Sequence, residues 1–138
     1  MANEELVSAV KQIMVLAKAG KTDEVYAGYA TLFSSGAFAG YPAADQRQAL
    51  KLMILAKGIP TFPTPPIVQA HRAAMVPLRA LIAEHDEPAD YEMIGLCHVR
   101  AGDEKSAREA FQKGLNLERA RDPQSNLCGS LMKWVASV

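Results

Sequence analysis

The side chains able to carry out covalent or acid–base chemistry are few, with two cysteines and three histidines in 138 residues. Cys97 and His98 are neighbours in the sequence, and a thiol nucleophile needs a base within hydrogen-bond reach. Consecutive residues of a helix point about 100° apart, however, so these two side chains do not pair. We predict that Cys97 packs in the interior. The alternative, a cysteine-dependent enzyme that uses Cys97 or Cys128, requires a thiol that alkylates fast.

Metal and cofactor sites are not indicated by the remaining polar residues. His71 and His85 lie on one stripe of a predicted helix, about four turns apart, which is too far for a shared metal ion. The cysteines belong to no CxxC or Cys/His zinc pattern. The chain also has no HExxH, no glycine-rich phosphate loop and no paired-carboxylate motif. We therefore predict no catalytic residue, no metal and no cofactor.

The composition is that of an ordinary globular protein, and it indicates which elements would position any site. Hydrophobic residues make up 49% of the chain and charged residues 22%, with Ala and Leu in excess over β-branched residues, which favours helices. This length predicts one domain over residues 1–138. Lys and Arg number 15, as do Asp and Glu, so the chain lacks the basic excess expected of a nucleic-acid binder.

The expected location follows from the N-terminal residues and the cysteines. Glu4 and Glu5 stand where a secretory signal would carry positive charge, and the apolar run over residues 13–17 is too short for a membrane span. Two cysteines without a disulfide framework fit a reducing compartment. We expect a cytoplasmic protein without a membrane segment.

Apolar residues at helical spacing predict helices along most of the chain. Asn3 is the expected N-cap of the first helix, and Gly20 its end. Thr22 is the expected N-cap of the second helix, and a third helix is expected to end at Gly58.

A proline-rich segment separates the third helix from the fourth. Residues 59–66 hold four of the eight prolines, which exclude a helix interior and favour extended, polyproline-like backbone. Thr64 and Pro65 predict the cap and first turn of a long fourth helix. Pro77 lies inside that helix and predicts a kink.

Residues 88–121 carry the most informative pattern. One helical face holds Tyr91, Ile94, Gly95 and His98, a turn follows at Gly102-Asp103, and the next helix presents Ala107, Phe111, Gly114 and Leu115. Small residues at Gly95 and Ala107 would let two antiparallel helices approach closely, with aromatic rings on the flanks. The pattern resembles the tetratricopeptide repeat, whose period is about 34 residues. His98 and Gly114 take positions where that family has an aromatic residue and an alanine.

The resemblance implies an all-α fold: a right-handed array of antiparallel helical hairpins with a C-terminal capping helix. Gly129 lies 34 residues after Gly95, so residues 123–137 are expected to form the first helix of a truncated repeat. Trp134 is expected to seal the last hairpin, and the alternative is that it anchors a partner. The upstream hairpins diverge, because the glycines that close their first helices, Gly20, Gly58 and Gly102, are 38 and 44 residues apart.

A concave peptide-binding surface is implied by the same resemblance, because the first helix of each tetratricopeptide hairpin lines such a surface. Aligning the closing glycines predicts the partner-binding residues Val10, Met14, Leu52, Leu55, Glu92, Leu96, Val99 and Arg100. The set is mostly apolar and lacks the Lys and Asn with which the family's chaperone-tail binders clamp a carboxylate. An exposed apolar groove needs an occupant. It would be a partner's helix or extended segment, a second copy, or the chain's own proline-rich segment.

The function implied is protein–protein interaction, in which the groove binds a peptide or helix segment of a protein partner. Alternatives within binding are a small secretion-type chaperone and a self-associating scaffold that forms a homodimer. Nucleic acid and membranes are not expected as partners. A further alternative is that several of the eight predicted residues belong to the core.

Overall fold

The computed structural model describes residues 3–138, which form seven α-helices and one short 3₁₀ helix and include no strand. The α-helices are α1 (Glu4–Lys18), α2 (Thr22–Ser34), α3 (Ala43–Ile54), α4 (Pro65–His85), α5 (Pro88–Arg100), α6 (Glu104–Arg121) and α7 (Asn126–Ser137), and the 3₁₀ helix is Phe38–Gly40. The all-α prediction is confirmed. None of the helices in this range is long and apolar enough to cross a membrane.

The first helix begins and ends where its sequence predicts. The Asn3 side chain accepts a hydrogen bond from the Glu5 amide at 2.8 Å, which satisfies one of the free N–H groups of the first turn. Gly20 has a φ of 75°, in the left-handed region that glycine adopts without strain, and the chain reverses there into α2.

Three other predicted helix ends differ in detail. Thr22 is the first residue of α2 and not its cap, since Lys21 holds that position without a side-chain bond. The third helix ends at Ile54, and Gly58 lies in the turn that follows. Thr64 precedes α4 as predicted, but its hydroxyl donates to Asp23 Oδ1 at 2.9 Å instead of capping the helix.

One hydrophobic core runs through all seven helices. Consecutive packing joins α1 to α2, α2 to α4, α4 to α5, α5 to α6 and α6 to α7, while α3 packs against α4 and α5. The largest fully buried side chains include Phe38, Phe111, Leu50, Met53, Ile54, Ile67, Leu78, Met93 and Leu131. Because α5 packs against three other helices, eight of its 13 residues are buried.

The α5–α6 contact is as close as its glycines allow. A Cβ atom placed on Gly95 would lie 2.6 Å from Cδ1 of Phe111, whose ring is fully buried. A Cβ atom on Gly114 would lie 2.9 Å from Cβ of Tyr91. The predicted close approach is present, although the residue facing Gly95 is Phe111 and not Ala107. Gly114, which departs from the repeat pattern, is required at its position because an alanine would press on α5.

Candidate binding groove

An apolar cleft opens between α1 and α3, with a cavity volume of about 170 Å³. Its apolar lining residues are Leu6, Val7, Val10, Ala49 and Leu52, and its polar ones are Lys11, Asp45 and Gln48. Val10 and Leu52 are thus brought together as predicted. Met14 lies one turn beyond Val10, partly buried and packed against the core, and does not line the cleft.

Large apolar side chains are exposed in the cleft and also outside it. Leu52 on α3 and Leu55, the residue that follows α3, are each 46% exposed, and Val99 on α5 is 38% exposed. A bond between Arg100 and the Ile54 carbonyl joins the C-terminal ends of α3 and α5, and Leu55 and Val99 are the chain neighbours of these two residues. We call the α1–α3 cleft together with Leu55 and Val99 the apolar groove.

Leu96 was predicted to line the groove, and this prediction is wrong. Its side chain is 4% exposed and belongs to the hydrophobic core. The alignment assumed that α5 keeps one face free, but α3, α4 and α6 all pack against this helix. Leu96 therefore stabilises the fold and is not accessible to a partner.

Glu92 binds the chain's own tryptophan. Trp134 Nε1 donates a hydrogen bond to Glu92 Oε2 at 3.2 Å, and the indole stacks on Phe111 with ring centroids 5.7 Å apart. Burial raises the pKa of the Glu92 carboxyl, while the Trp134 bond and the charge of Lys51 lower it. The pair holds α7 on α5 and α6, in line with the sealing role predicted for Trp134, so Glu92 acts as an internal hydrogen-bond acceptor.

Arg100 forms a polar junction between three helices. Its Nη1 donates to the Ile54 carbonyl at 2.6 Å and lies 3.1 Å from His71 Nε2. His71 Nδ1 lies 2.7 Å from the Ile67 carbonyl, which places the ring proton on Nδ1 and leaves Nε2 as the acceptor for Arg100. Burial, with a smaller contribution from the charge of Arg100, lowers the pKa of His71 to about 4 although the bond to the Ile67 carbonyl raises it, so the ring is neutral at pH 7.

The environment of this junction also changes the pKa of Arg100. Burial lowers the pKa of Arg100 from its usual value, and no carboxylate lies within ion-pair distance of it among residues 3–138. Its hydrogen bonds instead tie the end of α3 to α4 and α5. Arg100 thus has a structural role that its place in the sequence pattern does not predict.

The sequence does not predict the buried ion pair that joins α3 to α5. Asp90 on α5 is fully buried, and Arg47 on α3 donates to both of its carboxylate oxygens, with Nε–Oδ1 at 3.0 Å and Nη2–Oδ2 at 2.9 Å. The hydrogen bond to Asp90 raises the pKa of Arg47. The two residues are 43 positions apart and share no motif, so spacing along the chain gives no signal for the pair.

The cysteines are enclosed. Cys97 and Cys128 are 0% and 1% exposed, and burial raises the pKa of the Cys97 thiol to about 12. A buried thiol with a raised pKa is a poor nucleophile, because the thiolate is the reactive form. Among residues 3–138, no three His, Cys, Asp or Glu side chains are grouped closely enough to hold a metal ion.

The apolar groove is lined mainly by aliphatic side chains. Its polar neighbours Arg100 and Glu92 already have partners within the chain. No family model matches the chain, and no curated protein and no solved structure matches it either.

Proposed function

We propose that this protein is a protein-interaction module that holds a peptide or helix segment of a partner protein in its apolar groove. The observation that carries the proposal is the exposure of three aliphatic side chains, Leu52 in the α1–α3 cleft and Leu55 and Val99 at the C-terminal ends of α3 and α5. Covering such a surface is favourable by about 25 cal/mol for each Å² of apolar area removed from water. A contiguous apolar patch on a protein surface is typical of an interaction site.

A tetratricopeptide-like array is the arrangement we propose for the helices around this groove. In support, α1 packs against α2 and α5 against α6, and neighbouring hairpins meet where α2 packs against α4 and α3 against α5. The short connections at residues 19–21 and 101–103 favour antiparallel hairpins. Such an array places α1, α3 and α5 along the surface that carries the groove.

The partner segment is expected to be apolar and not to be anchored by a terminal carboxylate. Arg100 donates to the Ile54 carbonyl and to His71, so a carboxylate would have to compete with bonds that hold three helices together. The charged residues of the cleft, Lys11 and Asp45, have opposite signs, and Gln48 is neutral. Specificity would then come from shape and apolar contact, and the module would need neither a cofactor nor a catalytic residue.

The test is the double variant Leu55→Asp/Val99→Asp. Both side chains reach solvent, so the new carboxylates stay hydrated and the cost of burying an unpaired charge is avoided. We expect a fold that melts close to wild type and a protein that no longer captures its partners. Partners would be identified by pull-down and mass spectrometry, and each would be confirmed with the purified pair by calorimetry.

A matched control is Val76→Asp, because Val76 is 64% exposed on α4 and lies outside the groove. It should leave both melting and capture unchanged. A folded double variant that still binds every confirmed partner would contradict the proposal. A double variant that unfolds would instead assign Leu55 and Val99 to the core.

A further inference from the structure

The connection between α3 and α4 exposes an aromatic side chain. Phe62 is 89% exposed, more than any other large apolar residue among residues 3–138. It lies in the proline-rich segment, at a point where the chain bends. Leaving a whole phenyl ring in water is unfavourable, and aromatic residues of this kind are enriched among the side chains that dominate protein interfaces.

The loop holds Phe62 between two fixed ends. On one side Ile59 packs against the core. On the other side the Thr64 hydroxyl donates to Asp23 Oδ1 at 2.9 Å just before α4 begins. Pro60 and Pro63 flank the bend, and their rings fix φ at each position. A loop stiffened in this way loses little conformational entropy when its side chain docks.

The same chain carries a cavity that fits this ring. The α1–α3 cleft has a volume of about 170 Å³ and mostly aliphatic walls, and apolar cavities of about 150 Å³ bind benzene. The chain's own loop does not fill it, because all the lining residues belong to α1 and α3 and Phe62 remains in solvent. One molecule therefore presents both an unoccupied apolar cleft and an uncovered aromatic side chain.

The position of the two features favours reciprocal docking. The α3 helix lines the cleft with Ala49 and Leu52, and its C-terminal end leads through Leu55 into the loop that carries Phe62. A two-fold axis allows both features to be used at once, because each copy offers its cleft and its ring to the other. Docking both rings at once covers twice the area of one contact, with Leu55 beside them.

We propose that a second copy of this chain occupies the groove, with Phe62 of each copy seated in the α1–α3 cleft of the other. This inference rests on the proposed function, since it names the occupant of the apolar groove. The contact is small, so a dimer that depends on protein concentration is expected rather than a permanent one.

The test measures association by sedimentation velocity and by light scattering over a wide range of protein concentrations. Wild type should pass from monomer to dimer as concentration rises. Phe62→Ala removes the inserted ring and Leu52→Glu charges the wall of the cleft, and each should weaken dimerisation at least about tenfold. Thr61→Ala in the same loop and Val76→Asp on α4 are controls that should dimerise like wild type. Phe62 is almost fully exposed, so its variant should melt like wild type.

Mixing the two variants gives a sharper test. Phe62→Ala keeps an intact cleft and Leu52→Glu keeps an intact ring, so a mixed pair retains one of the two contacts, whereas either variant alone retains none. Stronger association in the mixture than in either variant alone would support reciprocal docking. If Leu52→Glu fails to fold, Val10→Lys replaces it at the opposite wall of the cleft.

Two results would overturn the inference. The first is a wild type that stays monomeric at every concentration, and the second is a dimer that persists in both Phe62→Ala and Leu52→Glu. Neither result by itself would contradict the proposed function, because the capture of another protein through Leu55 and Val99 is measured in a separate experiment. If the protein stays monomeric but still binds such a partner, that partner and not a second copy is the occupant, and the groove remains the binding site.

Discussion

Two glycines, Gly95 on α5 and Gly114 on α6, allow these helices to pack at a short distance. Phe111 occupies the space that a Cβ atom on Gly95 would need, and the Trp134 indole stacks on the same ring. Gly114 faces Tyr91 and the Pro88 carbonyl in the same way one turn further along, so both contacts depend on residues that a search for periodic apolar positions passes over.

Replacing Gly95 with leucine should lower the free energy of unfolding by about 3 kcal/mol, because the added atoms must displace a fully buried ring in a packed core. Urea unfolding followed by circular dichroism measures the change. Gly129→Ala is the matched control, since Gly129 is a helical glycine with no atom near its missing Cβ. That variant should gain up to about 1 kcal/mol from helix propensity. A Gly95→Leu protein as stable as wild type would exclude the close α5–α6 contact.

At the scale of elements, periodicity predicts that the helices exist but not which of them touch. Apolar spacing is a local property and gives α1, α2, α4, α5 and α6 with ends within a few residues of those observed. The early end of α3 at Ile54 does not follow from local sequence. The Ile54 carbonyl is held by Arg100, which lies 46 residues away. The burial of Leu96 cannot be predicted from local sequence either, because it depends on the packing of α3, α4 and α6 around α5.

The ion pair between Arg47 and Asp90 gives an element-level prediction. It joins α3 to α5, and the Asp90 carboxylate is fully buried. Arg47→Met should lower the free energy of unfolding by about 3–5 kcal/mol, because it leaves a buried charge without a partner. The double variant Arg47→Met/Asp90→Asn removes that charge and should recover part of the loss. Equal stability of Arg47→Met and wild type in urea unfolding would show that the pair does not hold α3 in place.

At the scale of the molecule, the sequence predicts part of the groove and leaves the rest to tertiary contacts. Leu52, Leu55 and Val99 are exposed, and Val10 lines the cleft while it packs partly against the core. Glu92 and Arg100 were assigned to the same surface, but their partners Trp134, Ile54 and His71 come from other parts of the chain. No rule of spacing links a residue of α5 to a partner brought beside it by folding.

The continuous core makes a final prediction about cooperativity. Trp134, the only tryptophan, reports on the contact of α7 with Phe111 and Glu92, whereas far-ultraviolet circular dichroism reports on all helices. Cys128 and Leu131 of α7 belong to the same core as Leu6 and Ile13 of α1. Unfolding in urea should therefore give coincident transitions by fluorescence and circular dichroism.

Separate transitions would contradict this expectation in an informative way. If fluorescence changes at lower urea than circular dichroism, α7 detaches first, as a terminal unit does in an array whose elements contact only their neighbours. Trp134→Phe cannot report by fluorescence but keeps the stack on Phe111 while removing the bond to Glu92. Its circular dichroism transition should move to lower urea by the equivalent of about 1 kcal/mol, the usual worth of one such hydrogen bond. A shift larger than this would mean that the contact between Trp134 and Glu92 contributes more to the stability of α7 than its packing in the shared core does.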